Sequence, residues 1–456
     1  MKRLVATDLL AWKDSDRRKP LIVRGARQVG KTHSIRALGE ECFEEFASID
    51  LERNRGWHRI FLGDLDAQRL LSELRIVLDR SIEPGRTLLF FDEIQSCPRA
   101  ILALRYLYEE VPELHVIAAG SLLDFALSEI SFPVGRVQFL EMFPLVFAEY
   151  LWAIGRDRSA EVVLSTPGEV PELIHTSLLT DLREYFFVGG MPESVLAYAR
   201  NRSIPDSRAV HRELCESYRQ DFQRYAPRAD PYCLDAVLAG TARQVGRQVK
   251  YTSLAEGSSG PTIKRAFDLL NMARVAKKVP SANPAGLPLG ASASPRRFKA
   301  LMVDIGLMQH LRGVPIDLEY GKADLLKIHE GDMAEQFVGQ EILVSQGADL
   351  YYWSRQAKSS TAEVDYLVVI DGSIVPVEVK SGPSGRLRSL HLLLDSYPNC
   401  DRAYVFSSAP FAELSDQKLT FLPLYYAFRA TQSRKSEAEI TAGQDDNADP
   451  PIRSST

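Results

Sequence analysis

Gly25-Ala26-Arg27-Gln28-Val29-Gly30-Lys31-Thr32 satisfies the pattern G-x-x-x-x-G-K-[ST], and the residues on either side decide what it means. The apolar run Leu21-Ile22-Val23 before it has the composition of a buried strand, and Thr32 to Leu38 after it can begin a helix. Strand, glycine-bearing loop and helix in that order make a phosphate cradle. Glycines at 25 and 30 let the backbone bend sharply and turn its N–H groups toward phosphate oxygens. Lys31 is then placed to reach the β- and γ-phosphates, and the Thr32 hydroxyl to hold Mg²⁺. Ala26, Arg27, Gln28, Val29 and His33 complete the wall of the loop. The stretch predicts a nucleoside triphosphate site, with ATP and Mg²⁺ as cofactors.

Working outward, such a site needs an acidic pair at the end of a neighbouring buried strand. Thr87-Leu88-Leu89-Phe90-Phe91-Asp92-Glu93 supplies it. A strand covered on both faces is uniformly apolar, so the acids mark where it leaves the core at the sheet's carboxyl edge. Asp92 is assigned to the Mg²⁺ shell and Glu93 to polarising the attacking water. The run His115–Ala119 ends at Gly120-Ser121, where Ser121 either bonds the water or γ-phosphate or caps a following helix. Arg136, in Val134-Gly135-Arg136, is the first later donor of positive charge, from its own chain or across a subunit boundary in a homo-oligomer. Arg24 and Arg27 compete for that role, and a surface salt bridge is the plain alternative for Arg136.

Short apolar runs at Leu21–Val23, Phe46–Ile49, Leu88–Phe91 and Leu114–Ala119 alternate with amphipathic stretches, which predicts an α/β core with a parallel sheet. A chain of 456 residues exceeds one core and calls for several domains. Hydrophobic content of 45%, charged content of 25% and a net charge of −5 fit a globular protein and argue against a wholly basic nucleic-acid binder. The cysteines (Cys42, Cys97, Cys215, Cys233, Cys400) are dispersed and form no metal-ligand spacing, as expected of reduced structural thiols. No run reaches membrane-spanning length and Met1-Lys2-Arg3 leads into no signal core, so a cytoplasmic location is expected.

Arg24–Thr32, Phe91-Asp92-Glu93-Ile94-Gln95, Ala119-Gly120-Ser121 and Val134-Gly135-Arg136 together resemble a large prokaryotic family of AAA+-type P-loop ATPases. Tyr185–Glu193, with Gly189-Gly190-Met191-Pro192, looks like a glycine-glycine element of that family's helical region. The likeness runs from Trp12 to Phe428. It implies ATP binding and hydrolysis, a helical lid, a winged-helix-like segment and a C-terminal domain of uncertain role. The resulting division is 1–165 for the ATPase core, 166–235 for the helical region and 236–312 for the winged-helix-like segment. A nuclease-like domain follows at 313–428, and a disordered polar tail at 429–456. Lys264, Arg265, Arg274, Lys277 and Lys278 precede the proline- and glycine-rich segment Ser281–Pro295, as a winged-helix reader of DNA would require, though a solvated helix face gives the same pattern.

The C-terminal part permits a register argument. Asp371-Gly372 between two β-rich runs is a strong hairpin signal, and a two-residue loop pairs residues whose numbers sum to 743. Asp365 then faces Glu378, and Leu367 faces Pro376. Two carboxylates so placed repel unless a cation lies between them. Lys380 projects from the same face, while Val364, Tyr366, Val368, Val375, Val377 and Val379 form the apolar one. D-x₁₂-E-x-K on a hairpin is similar to the PD-(D/E)xK nucleases. That resemblance implies Mg²⁺ on Asp365 and Glu378, Lys380 orienting or deprotonating the water, and Glu335 as the carboxylate of the preceding helix. The leading expectation is an ATPase with a nuclease-like, restriction-endonuclease-like α/β effector acting on DNA or RNA. A nucleotide-switched binding protein with a silent nuclease fold is the alternative.

Overall fold

The computed structural model describes residues 1–121, 123–127, 135–225, 230–314, 330–347, 349–357, 360–380 and 387–433. Its first layer is a five-stranded parallel sheet of β1 (Leu21–Arg24), β2 (Glu45–Asp50), β3 (Thr87–Asp92), β4 (His115–Gly120) and β5 (Gln138–Glu141), in the order β2-β3-β4-β1-β5. The apolar runs read from the sequence became β1 to β4 because both faces are covered. Leu21, Val23, Leu88 and Phe90 enter one core cluster, while Ile22, Leu89 and Phe91 enter the other. α1 (Val5–Lys13), α2 (Lys31–Cys42), α3 (Ala67–Leu78), α4 (Pro98–Glu110) and α5 (Leu123–Leu127) accompany the sheet. β5 has no counterpart in the sequence reading. It is a short edge strand, Gln-Phe-Leu-Glu, mostly half-buried, and carries too little apolar pattern to be seen.

The following region is helical, as expected, with α6 (Phe147–Ala153), α7 (Asp157–Leu164), α8 (Glu172–Val188), α9 (Pro192–Asn201), α10 (Ile204–Tyr225) and α11 (Pro231–Gln244). The break between α8 and α9 is built for close approach. A Cβ at Gly190 would meet the Leu145 carbonyl oxygen at 2.1 Å, and the Gly190 N–H donates to buried Asp304 at 2.6 Å. α12 (Gly260–Met272) packs on α11 and leads into an antiparallel ribbon of β6 (Ala276–Pro280) and β7 (Phe298–Met302), with Ser281–Pro295 in the connection. The boundary drawn at 235 falls inside α11, which belongs with α12. α13 (Ile305–Arg312) closes the unit.

The last unit opens with the helix Glu330–Gln346 and continues through β8 (Tyr351–Ala357), β9 (Ser360–Ile370), β10 (Ser373–Val379), the helix Arg388–Ser396, β11 (Ala403–Ser407), β12 (Ala412–Leu414) and β13 (Leu419–Pro423). The mixed sheet runs β12-β13-β11-β10-β9-β8, with β10, β11 and β13 parallel. Asp371 and Gly372 form the two-residue turn, both at positive φ (51° and 82°), and Leu367 pairs with Pro376 as the register requires.

Two expectations fail there. The β9–β10 ladder ends at Tyr366/Val377, one step before Asp365 and Glu378. Between its pairings with Tyr351 and Trp353, β9 also spends one residue more than β8, a bulge that falls beside Asp365. An extra residue reverses the alternation beyond it. Val364 therefore joins Leu367 and Ile374 under the helix Arg388–Ser396, whereas Tyr366, Val368, Val375, Val377 and Val379 belong to the main core. The hairpin has two covered faces, not one apolar and one open. The tail was drawn from 429, yet Arg429 donates to the Leu164 carbonyl at 2.9 Å and Thr431 is fully buried on Ser345. Residues 434–456 lie outside the described residues.

Candidate functional site

The loop after β1 has the form the sequence requires. A Cβ on Gly25 would meet the Met142 carbonyl oxygen at 2.1 Å, so only glycine lets the chain leave the strand here. Gly30 sits at the N-cap of α2 at φ 96°, left-handed backbone that glycine adopts freely. Lys31 is buried, and its Nζ donates to its own loop at the carbonyls of Gly25 (3.0 Å) and Ala26 (2.8 Å). Burial lowers its pKa to about 8 despite the opposing pull of Glu93 and Asp92. The loop is also held from outside. Arg3 donates to the Val29 carbonyl at 3.0 Å, the Tyr218 hydroxyl donates to that of Arg27 at 3.1 Å, and Arg27 pairs with Asp221. Val29 is buried, Gln28 takes positive φ and His33 is exposed.

The acidic pair stands opposite. Thr32 Oγ1 donates to Asp92 Oδ2 at 2.8 Å, across 60 residues of chain, because β1 and β3 end at the same edge with β4 between them. A hydroxyl and a carboxylate so joined are the oxygen donors that Mg²⁺ selects. Glu93, at positive φ, accepts from Gln95 Nε2 at 2.5 Å. Burial raises the pKa of both Asp92 and Glu93. Gln95 received no role from the sequence, although it lies two residues after Glu93. Its side chain packs where a Cβ of Gly120 would be, and its Oε1 is buried without a hydrogen-bond partner. Ser121 is buried beside it at the end of β4. Its alternative role as a helix cap turns on residue 122, outside the described residues.

Arg136 is a correction. β5 begins opposite the start of β1, so Arg136 lies at the amino edge, about 13 Å of strand from the phosphate loop. There its Nε pairs with Glu109 at 2.7 Å on an exposed surface, and Val134 lies outside the described residues. Arg274, between α12 and β6, also approaches the loop. It grips Asp124 (2.9 Å) and Glu141, and Asp124 also pairs with Arg24 at 3.6 Å. Arg274 thereby joins Gly25, Ala26, Met142, Gln340 and Glu341 around a cavity of about 260 Å³. The expected basic face is divided by these contacts. Lys277 pairs with Asp349, Lys278 lies over the Phe298 ring at 4.7 Å, and Lys264 and Arg265 alone of the group are exposed.

The C-terminal acids meet a partner the sequence reading missed. Lys299 of β7, only 2% exposed, places Nζ at 2.8 Å from Glu335, 2.7 Å from Glu363 and 3.1 Å from Asp365. Burial pushes its pKa down, but the three carboxylates outweigh that and hold it well above the usual lysine value. Asp365 accepts from the Val379 N–H at 2.9 Å with its other oxygen. Glu378 is buried and pairs with Lys380 at 2.5 Å. Among the described residues no group of three or more acidic, histidine or cysteine side chains is arranged to hold a metal ion. The cluster does not fit Mg²⁺ in this conformation. Lys299 was invisible because it lies 66 residues from Asp365, in a segment assigned to another domain.

Comparison with known proteins agrees with the first half of this picture. A family model described as an AAA domain matches residues 17–151. Two models described as domains of unknown function match residues 179–317 and 330–426. No curated protein matches the chain. Similar solved structures include a Walker-type ATPase of Pyrococcus abyssi (17% identity, 68% of this chain and 95% of that one, TM-score 0.43). Drosophila ORC bound to DNA is 12% identical over 67% of this chain and 91% of that one, with a TM-score of 0.26. A signal-transduction ATPase with a tetratricopeptide repeat sensor from Pyrococcus horikoshii is 12% identical over 75% of this chain and 45% of that one, with a TM-score of 0.27. At such scores overall likeness carries no weight. The domain match and the loop geometry make residues 17–151 an AAA-type P-loop ATPase domain. No helix among the described residues is long and apolar enough to cross a membrane.

Proposed function

We propose that this protein is an ATP-hydrolysing switch whose C-terminal nuclease-like domain is catalytically silent in the conformation described. The carrying observation is the Thr32–Asp92 hydrogen bond, which joins the two oxygens that would hold Mg²⁺ at the end of the loop carrying Lys31. Bound Mg²⁺ would neutralise phosphate charge. The chain's own residues do the rest. Lys31 exchanges the carbonyls of Gly25 and Ala26 for phosphate oxygens, the loop N–H groups from Ala26 to His33 orient the phosphates, and Glu93 polarises the water. Ser121, buried at the end of β4, would bond that water or the γ-phosphate. Release of Lys31 from its own loop is the local event through which nucleotide changes the conformation.

The nuclease-like reading of the last unit draws on its order, helix, three strands, helix and strand, with Asp365 in the middle of β9 and Glu378 and Lys380 at the end of the adjoining β10. DNA or RNA would be the ligand class of such a domain. The silent form is preferred over an active effector because the Lys299 ammonium already sits among Glu335, Glu363 and Asp365 and pairs with all three. Incubating the purified chain with supercoiled, linear and single-stranded substrates, with and without ATP and Mg²⁺, tests this. ATP turnover without cleavage supports the switch, and cleavage abolished by Asp365→Asn overturns it.

A further inference from the structure

The buried Lys299 ammonium needs its own explanation. A divalent cation of Mg²⁺ size binds carboxylate oxygens at about 2.0–2.1 Å, and an ammonium keeps them at hydrogen-bond distance. The observed 2.7–3.1 Å from Lys299 Nζ to three carboxylates is the second situation. A nearby atom also points to an unfilled demand for positive charge. Glu378 is 7% exposed, and its Oε2 is buried without a hydrogen-bond partner, while Oε1 is taken by Lys380. Four carboxylates therefore share two lysine ammoniums, and the one at their centre comes from outside the C-terminal unit.

We propose that the Lys299 ammonium is the resident cation of this acid cluster, taking the place a divalent ion would need, and that it locks the β6–β7 ribbon onto the C-terminal sheet. The comparison with a metal rests on the nuclease-like reading of that unit. The lock itself rests only on the lysine–acid geometry. The ribbon is well placed for the task. Val279 of β6 pairs with Lys299 of β7, and beyond Pro280 the Ala282 N–H donates to the Tyr352 carbonyl of β8 at 2.8 Å. At its other end, two residues before β6, Arg274 grips Asp124 and Glu141 beside the phosphate loop. One short ribbon thus touches the nucleotide site and plugs the acid cluster. A divalent ion and Lys299 exclude each other, so the cluster accepts a metal only when β7 withdraws.

The test uses the full chain without nucleotide and reads Mn²⁺ binding by calorimetry together with thermal unfolding, never cleavage. Wild type should bind no Mn²⁺ that Asp365→Asn removes. Lys299→Met should gain one Mn²⁺ site and a Tm that rises with Mn²⁺, and both gains should vanish in Lys299→Met/Asp365→Asn. Lys299→Arg should gain none. Wild-type Mn²⁺ binding that depends on Asp365 would overturn the proposal, as would a folded Lys299→Met that gains no site. Should Lys299→Met fail to fold, Asp365→Asn in the wild-type background decides. Its Tm should fall because Lys299 loses an anionic partner, and an unchanged or raised Tm would overturn the lock. Because no arm reads nuclease activity, a domain that never cuts nucleic acid leaves the result intact.

Discussion

The phosphate loop and the C-terminal acid cluster are both sets of charged side chains gathered where a sheet meets a helix, yet they solve the problem of charge in opposite ways. At the phosphate loop the cation is local. Lys31 comes from the loop it serves and rests on that loop's own carbonyls, weak partners that a phosphate can displace. At the acid cluster the cation is distant in sequence, and Lys299 sits on three carboxylates at once. Three carboxylates add ion-pair attraction to the ammonium's hydrogen bonds, which neutral carbonyls do not supply. The first arrangement waits for a ligand; the second has filled itself. In this molecule a charge constellation beside a sheet is open to a ligand only where its own counter-ion is weakly held.

The largest effect should come from the waiting site. Lys31→Ala removes the charge that faces the phosphates and should lower ATP turnover on the order of a thousandfold in a phosphate-release assay. Undiminished turnover would erase the contrast, because Lys31 would then be as structural as Lys299. Glu93→Gln should keep nucleotide binding, measured by calorimetry, while slowing hydrolysis by about a hundredfold. Equal loss of binding and turnover would move Glu93 from the water to the architecture.

The filled site should respond in stability instead. Lys299→Met strands the buried Glu335 carboxylate beside the half-buried Asp365 and Glu363, and breaking the buried Lys299–Glu335 pair costs about 3–5 kcal/mol, read as a lowered denaturation midpoint in metal-free buffer. A smaller effect comes from Glu341 on the helix Glu330–Gln346, buried and accepting from the Phe147 N–H at 2.9 Å. Burial pushes its pKa up to about 8 from 4.5. A folded-state pKa above the unfolded one favours the protonated group, so its contribution is full below about pH 4.5 and is lost as pH rises through 8. Wild type should therefore lose Tm between pH 6 and 8.5 where Glu341→Gln loses less. Parallel curves would place the charged carboxylate in a wetter site than the structure shows. Least affected should be Arg136→Ala. An exposed pair with Glu109 at the sheet's amino edge predicts unchanged turnover and unchanged Tm. Slowed turnover that depends on protein concentration would instead bring Arg136 into a neighbouring subunit's site.

Local patterns reported local structure faithfully. Gly25 to Thr32, the apolar run before Asp92 and the Asp371-Gly372 turn each specify their geometry within a few residues, and each is found as read. β5 escaped because a four-residue edge strand with two polar ends carries no period. The division of the hairpin's faces failed at one residue, since the bulge beside Asp365 reverses every side chain beyond it. The basic group near the wing dissolved because a charge count does not say which acids lie opposite. Asp124, Glu141 and Asp349 claimed two of its five members.

By itself the sequence determined the phosphate loop, its acidic partner strand, the parallel core and the register of the hairpin turn. These depend on backbone periodicity and on glycine positions, which neighbouring residues specify. Only the tertiary structure decided which charges neutralise one another. It sent Arg136 to the far edge of the sheet, set Arg274 on Asp124 and Glu141 beside the loop, and delivered Lys299 across 66 residues into the acids. A charge finds its counter-ion through space, and the low dielectric of the interior enforces that pairing whatever the distance along the chain.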